Sequence, residues 1–233
     1  VIDLGGRRVL PGFTDAHIHF QGWALSRREL PLAGLPSLQA VQEALRGRAA
    51  QTPPGHSLRD GPQWIKGQGW NESDWPEARL LTRHDLDAAA PDHPVMLWRS
   101  DLHLGTANTL ALRLAGIDAN TPDPEAGVID RDAGGQPTGI LRDKAMDLVD
   151  AVMPRPGSAE IDAAMRDAMA EAHRLGLTGI HDFRIGDASE SSGAFGTWQR
   201  LHAAGDLRLR VWMMMGGELL DEAIRLGVRS GFG

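Results

Sequence analysis

The sequence predicts an α/β fold, a (β/α)8 TIM-type barrel of which only part is laid out. Three observations carry this. From residue 160 onward the pattern runs helix, strand, helix, strand, helix, with short connections. The stretches VMLW (95–98) and VWMMM (211–215) are apolar throughout rather than alternating, as strands covered on both faces of a parallel sheet are. Finally, about five barrel-type strands can be counted, where a closed barrel needs eight and about 250 residues.

Each element has its own signal. RRVL (7–10) reads as a short strand, and Pro11-Gly12 as a turn into a second one, FTDAHIHF (13–20). Pro31 to Pro36 is a connection. Ser37 is an N-cap for the helix LQAVQEALRGRA, whose apolar residues recur at helical spacing. After the loop QTPPGHSLRDGP, QWIKGQGW is a strand running into a glycine loop, and EARLLTRHDLDAAA gives short helical pieces. HPVMLWRS is a buried strand, followed by the helix ANTLALRLAG with Gly116 at its stop. The Pro-, Gly- and Asp-rich segment 120–141 suggests a hairpin excursion. Helices follow at RDKAMDLVDAVM and, past the Pro154–Pro156 break, at AEIDAAMRDAMAEAHRLG. Strand LTGIHDF, helix AFGTWQRLHAAG, strand LRLRVWMMM and helix ELLDEAIRLG complete the chain.

Composition narrows the chemistry. A net charge of −7 with no long basic run offers no attraction to nucleic acid or anionic lipid. No window approaches the roughly 18 uninterrupted apolar residues of a membrane helix. There is no cysteine, so thiolate ligands, disulfides and a cysteine nucleophile are excluded, and any metal must be held by imidazole and carboxylate.

The chemistry-bearing stretch is PGFTDAHIHF (11–20). In a strand, His17 and His19 project from one face and could offer nitrogens to a single ion, with Ile18 and Phe20 packed on the other. The bare pattern is weak, because about 0.35 such pairs are expected by chance from this histidine content. The alternative is two polar residues on an ordinary strand. His103 follows a strand that would end at a barrel mouth. Gly67 and Gly69 permit a tight loop in which Trp70 offers a flat apolar wall or plain packing. The histidines at 56, 84, 93, 173 and 202 read as solvated or capping groups, and Met213–Met215 as core.

The run VIDLGGRRVLPGFTDAHIHF resembles the entry segment of the metal-dependent amidohydrolase superfamily, where a β-sandwich strand crosses through Pro-Gly-Phe into a barrel strand carrying His-x-His. GQGWNESDWP (67–76), RSDLHLGTANTLAL (99–112), TPDPEAGVIDRDAGGQPTGILRDKA (121–145) and GLTGIHDF (176–183) resemble one branch, amidohydrolase family 3. That branch includes N-substituted formamide deformylase-like and exoenzyme-regulatory-protein-like members. The resemblance implies a β-sandwich remnant at 1–12 and the N-terminal part of a hydrolase barrel at 13–233, with an insertion near 118–140. It implies metal binding by His17 and His19, and places Arg99, Asp101 and His103 at a substrate pocket. There Arg99 could hold a substrate carboxylate or carbonyl, and His103 could donate to a developing oxyanion. Salt-bridge and capping roles are the alternative. Asp182 is expected to face inward in preference to His181, as a metal-shell or histidine-orienting carboxylate, a helix cap being the alternative. The branch has Glu where this chain has Asp143, which puts a direct contact by that residue in doubt.

The implied activity is hydrolysis of a non-peptide C–N bond in an amide, formamide or cyclic amide. One or two divalent ions, zinc by ligand chemistry, would activate water. The superfamily's remaining ligands, a lysine carbamate or acid, two histidines and a final Asp base, are expected beyond residue 233. Lys66 and Lys144 suit the carbamate poorly. The chain is therefore expected to be a piece of a longer protein, inactive by itself. The expected partner is a small-molecule amide, with no nucleic acid or membrane, a homo-oligomer left open, and a cytoplasmic location. Two other classes stay in view. Asp15-x-His17-x-His19 also resembles the opening of PHP-type metal phosphoesterases, and a barrel remnant could serve structure or binding alone.

Overall fold

Capping and burial set the elements. The computed structural model describes residues 3, 5–52, 56–57, 61–183, 188–214 and 216–229. In chain order these form β1 (Phe13–Ile18), α1 (Phe20–Ser26), β2 (Leu30–Pro31), α2 (Leu38–Gln51), β3 (His56–Ser57), β4 (Gly61–Pro62) and β5 (Ile65–Trp70). Then come α3 (Arg83–Asp87), β6 (Val95–Arg99), β7 (Leu104–Ala107), α4 (Thr109–Leu114), β8 (Gly127–Arg131), β9 (Pro137–Asp143) and α5 (Asp147–Asp150). The last are α6 (Ser158–Arg174), β10 (Leu177–Asp182), α7 (Ala188–Ala203), β11 (Arg210–Met213) and α8 (Leu220–Arg225). The fold is α/β and divides into two compact units, residues 1–25 with 156–233, and residues 26–155.

In the first unit β1, β10 and β11 form a parallel sheet in the order β1-β10-β11. Ile161, Met165, Ala168, Met169 and Ala172 recur at helical spacing along α6 and pack with Ile180 of β10, Phe20 of α1, and Trp198 and Leu201 of α7. Val211 and Met213 pack against the same cluster. They stand in register with Ile180 and Asp182, so these four residues share the helix-covered face. His181, in register with Trp212, faces the other way. Gly12 enters β1 against Thr178 of β10. A Cβ there would lie 2.3 Å from the threonine side chain, so only glycine lets the chain pass.

In the second unit a six-stranded sheet has the order β2-β5-β6-β7-β9-β8. The β2, β5 and β6 contacts are parallel, and those among β6, β7, β9 and β8 are antiparallel. Val95 and Leu97 face one core cluster, Met96 and Trp98 another, which is why this strand is apolar at every position. The Ser37 hydroxyl caps α2 by accepting from Ala40 N at 3.1 Å. Asp85 and Thr82 cap α3 reciprocally, with Asp85 accepting from Thr82 N and Oγ1 at 2.8 Å each. Segment 120–141 holds β8 and most of β9, an antiparallel hairpin as expected.

Four readings of local structure need correction. Arg7–Leu10 is exposed and forms no strand, because its main chain meets no ladder partner among the described residues. The helix expected from residue 142 is a single turn, since Pro137–Asp143 is first drawn into the sheet by β7 and β8. β6 is parallel on only one side. β11 buries alternate residues, leaving Trp212 and Met214 open, so the 213–214 pair is not uniformly core; Met215 lies outside the described residues.

Candidate functional sites

β1 ends with a bulge. Asp15 pairs with Ile180 and Ile18 with Asp182, so three steps on β1 span two on β10. The Asp15 carboxylate closes this bulge by accepting from His17 N at 2.9 Å. Ile18 packs toward the helices, which turns His17 to the opposite face. There its imidazole stacks on Phe183, with ring centroids 4.0 Å apart and planes 3° from parallel. His19 lies one residue past the strand, and its carbonyl accepts from Trp23 N at 2.9 Å as α1 begins. Phe20 is buried as expected, but as the first residue of a helix.

The His17 and His19 ring centroids are 5.6 Å apart and both side chains are exposed at the C-terminal end of a parallel strand. Two imidazoles on one tetrahedral ion would place their centroids roughly 5 Å apart, given metal–nitrogen distances of about 2.1 Å. The observed separation is close to that value. Two ligands do not complete a site, and among the described residues no group of three or more His, Asp or Glu is arranged to hold a metal.

Asp182 does something else. It is fully buried on the helix-facing side, where one carboxylate oxygen accepts from Phe20 N at 2.9 Å and the other from Trp198 Nε1 at 2.8 Å. Its position ties α1 and α7 to the end of β10. The face away from the helices carries His181 rather than Asp182, with the His181 ring 5.3 Å from that of Trp212. The signal for this was in the sequence. Ile180 and Asp182 share parity, and the apolar Ile180 had to face the helices.

In the second unit, a cleft of about 390 Å³ is lined by Glu72, Arg99, Asp101, His103, Arg142 and Asp143, with Leu80 and Leu104. Three of the residues read from the sequence thus meet here. Arg99 is committed: Nε and one Nη bind Glu72 at 2.8 and 3.0 Å, the other Nη binds Asp101 at 2.5 Å, and Asn71 Oδ1 accepts a further bond at 3.2 Å. This pairing holds the Glu72 carboxyl below its ordinary range and raises the guanidinium further. Burial acts to raise the Asp101 carboxyl, but the His103 N–H and the Arg99 guanidinium outweigh it and hold it low. His103 Nδ1 lies 2.8 Å from Asp143 Oδ1, and Asp143 N donates to His103 O at 2.9 Å. Arg142 pairs in two-pronged fashion with Asp130, at 2.8 Å for both contacts.

Glu72 escaped the sequence reading as a site residue, whereas Asp143 was considered there and its direct contact put in doubt. Glu72 sits 27 positions from Arg99, and no periodicity announces such a contact. Trp70 is fully enclosed, its ring stacked on Trp75 at 5.7 Å and its Nε1 donating to Leu97 O at 3.3 Å, so its place is in the core. Asn108 is also fully buried. It caps α4 through Ala111 N and bridges to β6 through Val95 N. His93 and His173 spend Nε2 on the main-chain carbonyls of Thr52 and Arg208, at 3.1 and 2.8 Å. His56 lies in β3, and its side chain is outside what is described.

The Amidohydrolase family model matches residues 1–233. The Bacillus subtilis protein YtcJ is 35% identical over 99% of this chain and 42% of its own length. The N-substituted formamide deformylase of Arthrobacter pascens is 33% identical over 94% of this chain and 39% of its own. A crystal structure of a metal-dependent hydrolase from Pyrococcus furiosus superposes with a TM-score of 0.62 at 23% identity, covering 96% of this chain and 41% of that one. The chain spans about two fifths of the length of the relatives it matches. No helix among the described residues is long and apolar enough to cross a membrane. With the family model covering every residue and relatives this similar along nearly the whole chain, the protein belongs to the amidohydrolase family.

Proposed function

We propose that the intact protein is a metal-dependent hydrolase of non-peptide C–N bonds, acting on an amide, formamide or cyclic amide. The observation that carries this reading is the pairing of His17 and His19, exposed at the end of a parallel strand with rings 5.6 Å apart. The deformylase relative supports the choice of bond. On this reading β1, β10 and β11 are consecutive strands of a (β/α)8 barrel, and the face carrying His17, His181 and Trp212 is its interior.

His17 and His19 would hold one divalent ion, with zinc favoured by the imidazole and carboxylate donor set. When bound, the ion supplies Lewis-acid polarisation of the carbonyl and activation of water. The chain's own residues do the rest. Phe183 fixes the His17 ring plane by stacking, and the Asp15 bulge aims that side chain away from the helices. Asp182 holds the start of α1, and with it the backbone around His19, by gripping Phe20 N. Within the second unit, Arg99, Asp101 and His103 are the residues for contact with a small-molecule ligand. Residues 1–233 alone bind metal weakly and turn over no amide.

The test is elemental analysis of the gene product at its natural length beside the His17→Ala/His19→Ala double variant. Metal near stoichiometry in the first and lost in the second supports the reading. Equal metal in both, or none in either, overturns it. A screen of amides against phosphate esters then separates amidase from phosphoesterase.

A further inference from the structure

A second cleft in the 26–155 unit, drawn from α3, α4 and the turn into β9, has no part in the hydrolase reading. Its volume is about 330 Å³, and Arg83, Thr109, Leu112, Arg113, Ile117 and Asp118 are among the residues that line it. Two arginines on one small cleft normally find carboxylates. These two do not: among the described residues no acceptor and no acid is bonded to either guanidinium. Arg83 Nε is buried without any partner, which is costly for a charged donor unless something else supplies the acceptor.

The nearby acids are spent elsewhere. Asp87 stands one turn after Arg83 on α3, the usual spacing for an ion pair. Its two oxygens instead accept from Thr109 N at 3.0 Å and Thr109 Oγ1 at 2.6 Å, which ties α3 to α4. Asp118 Oδ1 closes its own turn, accepting from Asn120 N at 2.8 Å and Thr121 N at 3.1 Å. The charge of these acids lessens the pull of the cleft on an anion, but the five N–H groups of each arginine stay unclaimed by protein. Packing fixes the stem of Arg83. A Cβ at Gly139 would lie 2.8 Å from Arg83 Cβ and 2.5 Å from Ala107 O, so glycine is what lets α3 lie against β9. Arg113 stands four residues after Thr109 on α4, which brings both to the same side of that helix.

The number of acceptors selects the ligand. One guanidinium satisfies both oxygens of a carboxylate in a two-pronged pair. A phosphoryl group offers three oxygens and, above its second pKa of about 6, nearly two charges, enough to engage both arginines. Leu112 and Ile117, which belong to the core, add apolar surface to the same cleft.

We propose that this cleft binds the phosphoryl group of a small phosphate monoester, held by Arg83 and Arg113, with the organic part of the ester against Leu112 and Ile117. The proposal stands without the hydrolase reading, because neither metal nor turnover enters it.

The experiment is calorimetric titration of the gene product at its natural length, with phenyl phosphate and benzoate as probes, at about pH 8 and physiological salt. It is made in the His17→Ala/His19→Ala background, so that no ion at that pair can hold the phosphate. Phenyl phosphate is expected to bind, and benzoate roughly tenfold more weakly, for want of the second arginine's charge-assisted bond. Arg83→Gln should weaken phenyl phosphate roughly tenfold or more, and the exposed Arg113→Gln about two- to fivefold. Saturating phenyl phosphate should raise the melting temperature of the parent and leave that of Arg83→Gln unmoved. If Arg83→Gln does not fold, Arg113→Gln on the exposed face of α4 carries the comparison. Absence of binding, affinity unchanged by the arginine substitutions, or benzoate binding as tightly as phenyl phosphate overturns the proposal.

Discussion

Replacing Asn108 tests whether a residue that matches a family motif is there for structure. Its side chain is fully buried and makes four bonds. Oδ1 accepts from Ala111 N and Val95 N at 3.0 Å each, and Nδ2 donates to His93 O at 2.8 Å and Ala90 O at 3.3 Å. Asn108→Ala removes an N-cap worth about 1 kcal/mol. It also strips a partner from the buried Val95 N–H, at about 1–3 kcal/mol for a group left unsatisfied. The expected loss is about 3 kcal/mol in the second unit, with the cavity and the two carbonyls pushing it up and water entry pulling it down. Hydrogen exchange of the Val95 amide reads this locally, and protection should fall roughly a hundredfold. Asn108→Asp sharpens the test. It keeps both acceptor bonds but turns an oxygen toward the carbonyls of Ala90 and His93, which favours the protonated acid. The folded-state pKa should therefore rise, so stability is full below the unfolded value of about 3.9 and is lost as pH rises through the folded one. An Asn108→Ala cost under about 1 kcal/mol, with a pH-independent Asn108→Asp, would refute the reasoning.

Three further outcomes are expected. Burial would raise the Asp85 carboxyl, but Arg79 and the Thr82 N–H and hydroxyl hold it below its ordinary value. Its stabilisation is present above the unfolded pKa and lost as pH falls through the folded one. Asp85→Asn should flatten that acid limb in urea melts and cost about 1–2 kcal/mol at pH 7, an unchanged limb counting against the capping role. Asp182→Ala should cost about 2–4 kcal/mol by leaving buried donors at Phe20 and Trp198 without this partner, and should shift Trp198 emission. An unaltered spectrum and melt would remove Asp182 from its clamp. Gly12→Ala should destabilise the β1–β10 pairing, read as faster exchange at Phe13 N, whose partner is Gly176 O at 2.9 Å; full protection would show that Thr178 can move aside.

Much of this protein was determined locally. Ser37 before an apolar helical stripe, Gly116 at φ +69° after α4, and the apolar periodicity of α6 act within a few residues, so the sequence by itself located those helices. The His-x-His pair was legible for the same reason, as neighbours on one short segment. What the tertiary structure decided depends on distant partners. RRVL has strand propensity, but a strand exists only where a second one supplies its ladder. The start of RDKAMDLVDAVM is helical by pattern, yet β7 and β8 claimed the residues before it for a sheet. The bulge that turns His17 away from the helices is a mismatch in register between two strands some 160 positions apart, roughly the whole span between them. Glu72 against Arg99 and Asp143 against His103 likewise join residues 27 and 40 positions apart. Sequence spacing carries information over one turn or one strand, whereas a charge pair across a cleft is set by where the chain returns. That return is fixed only when both faces of the sheet have found their cover.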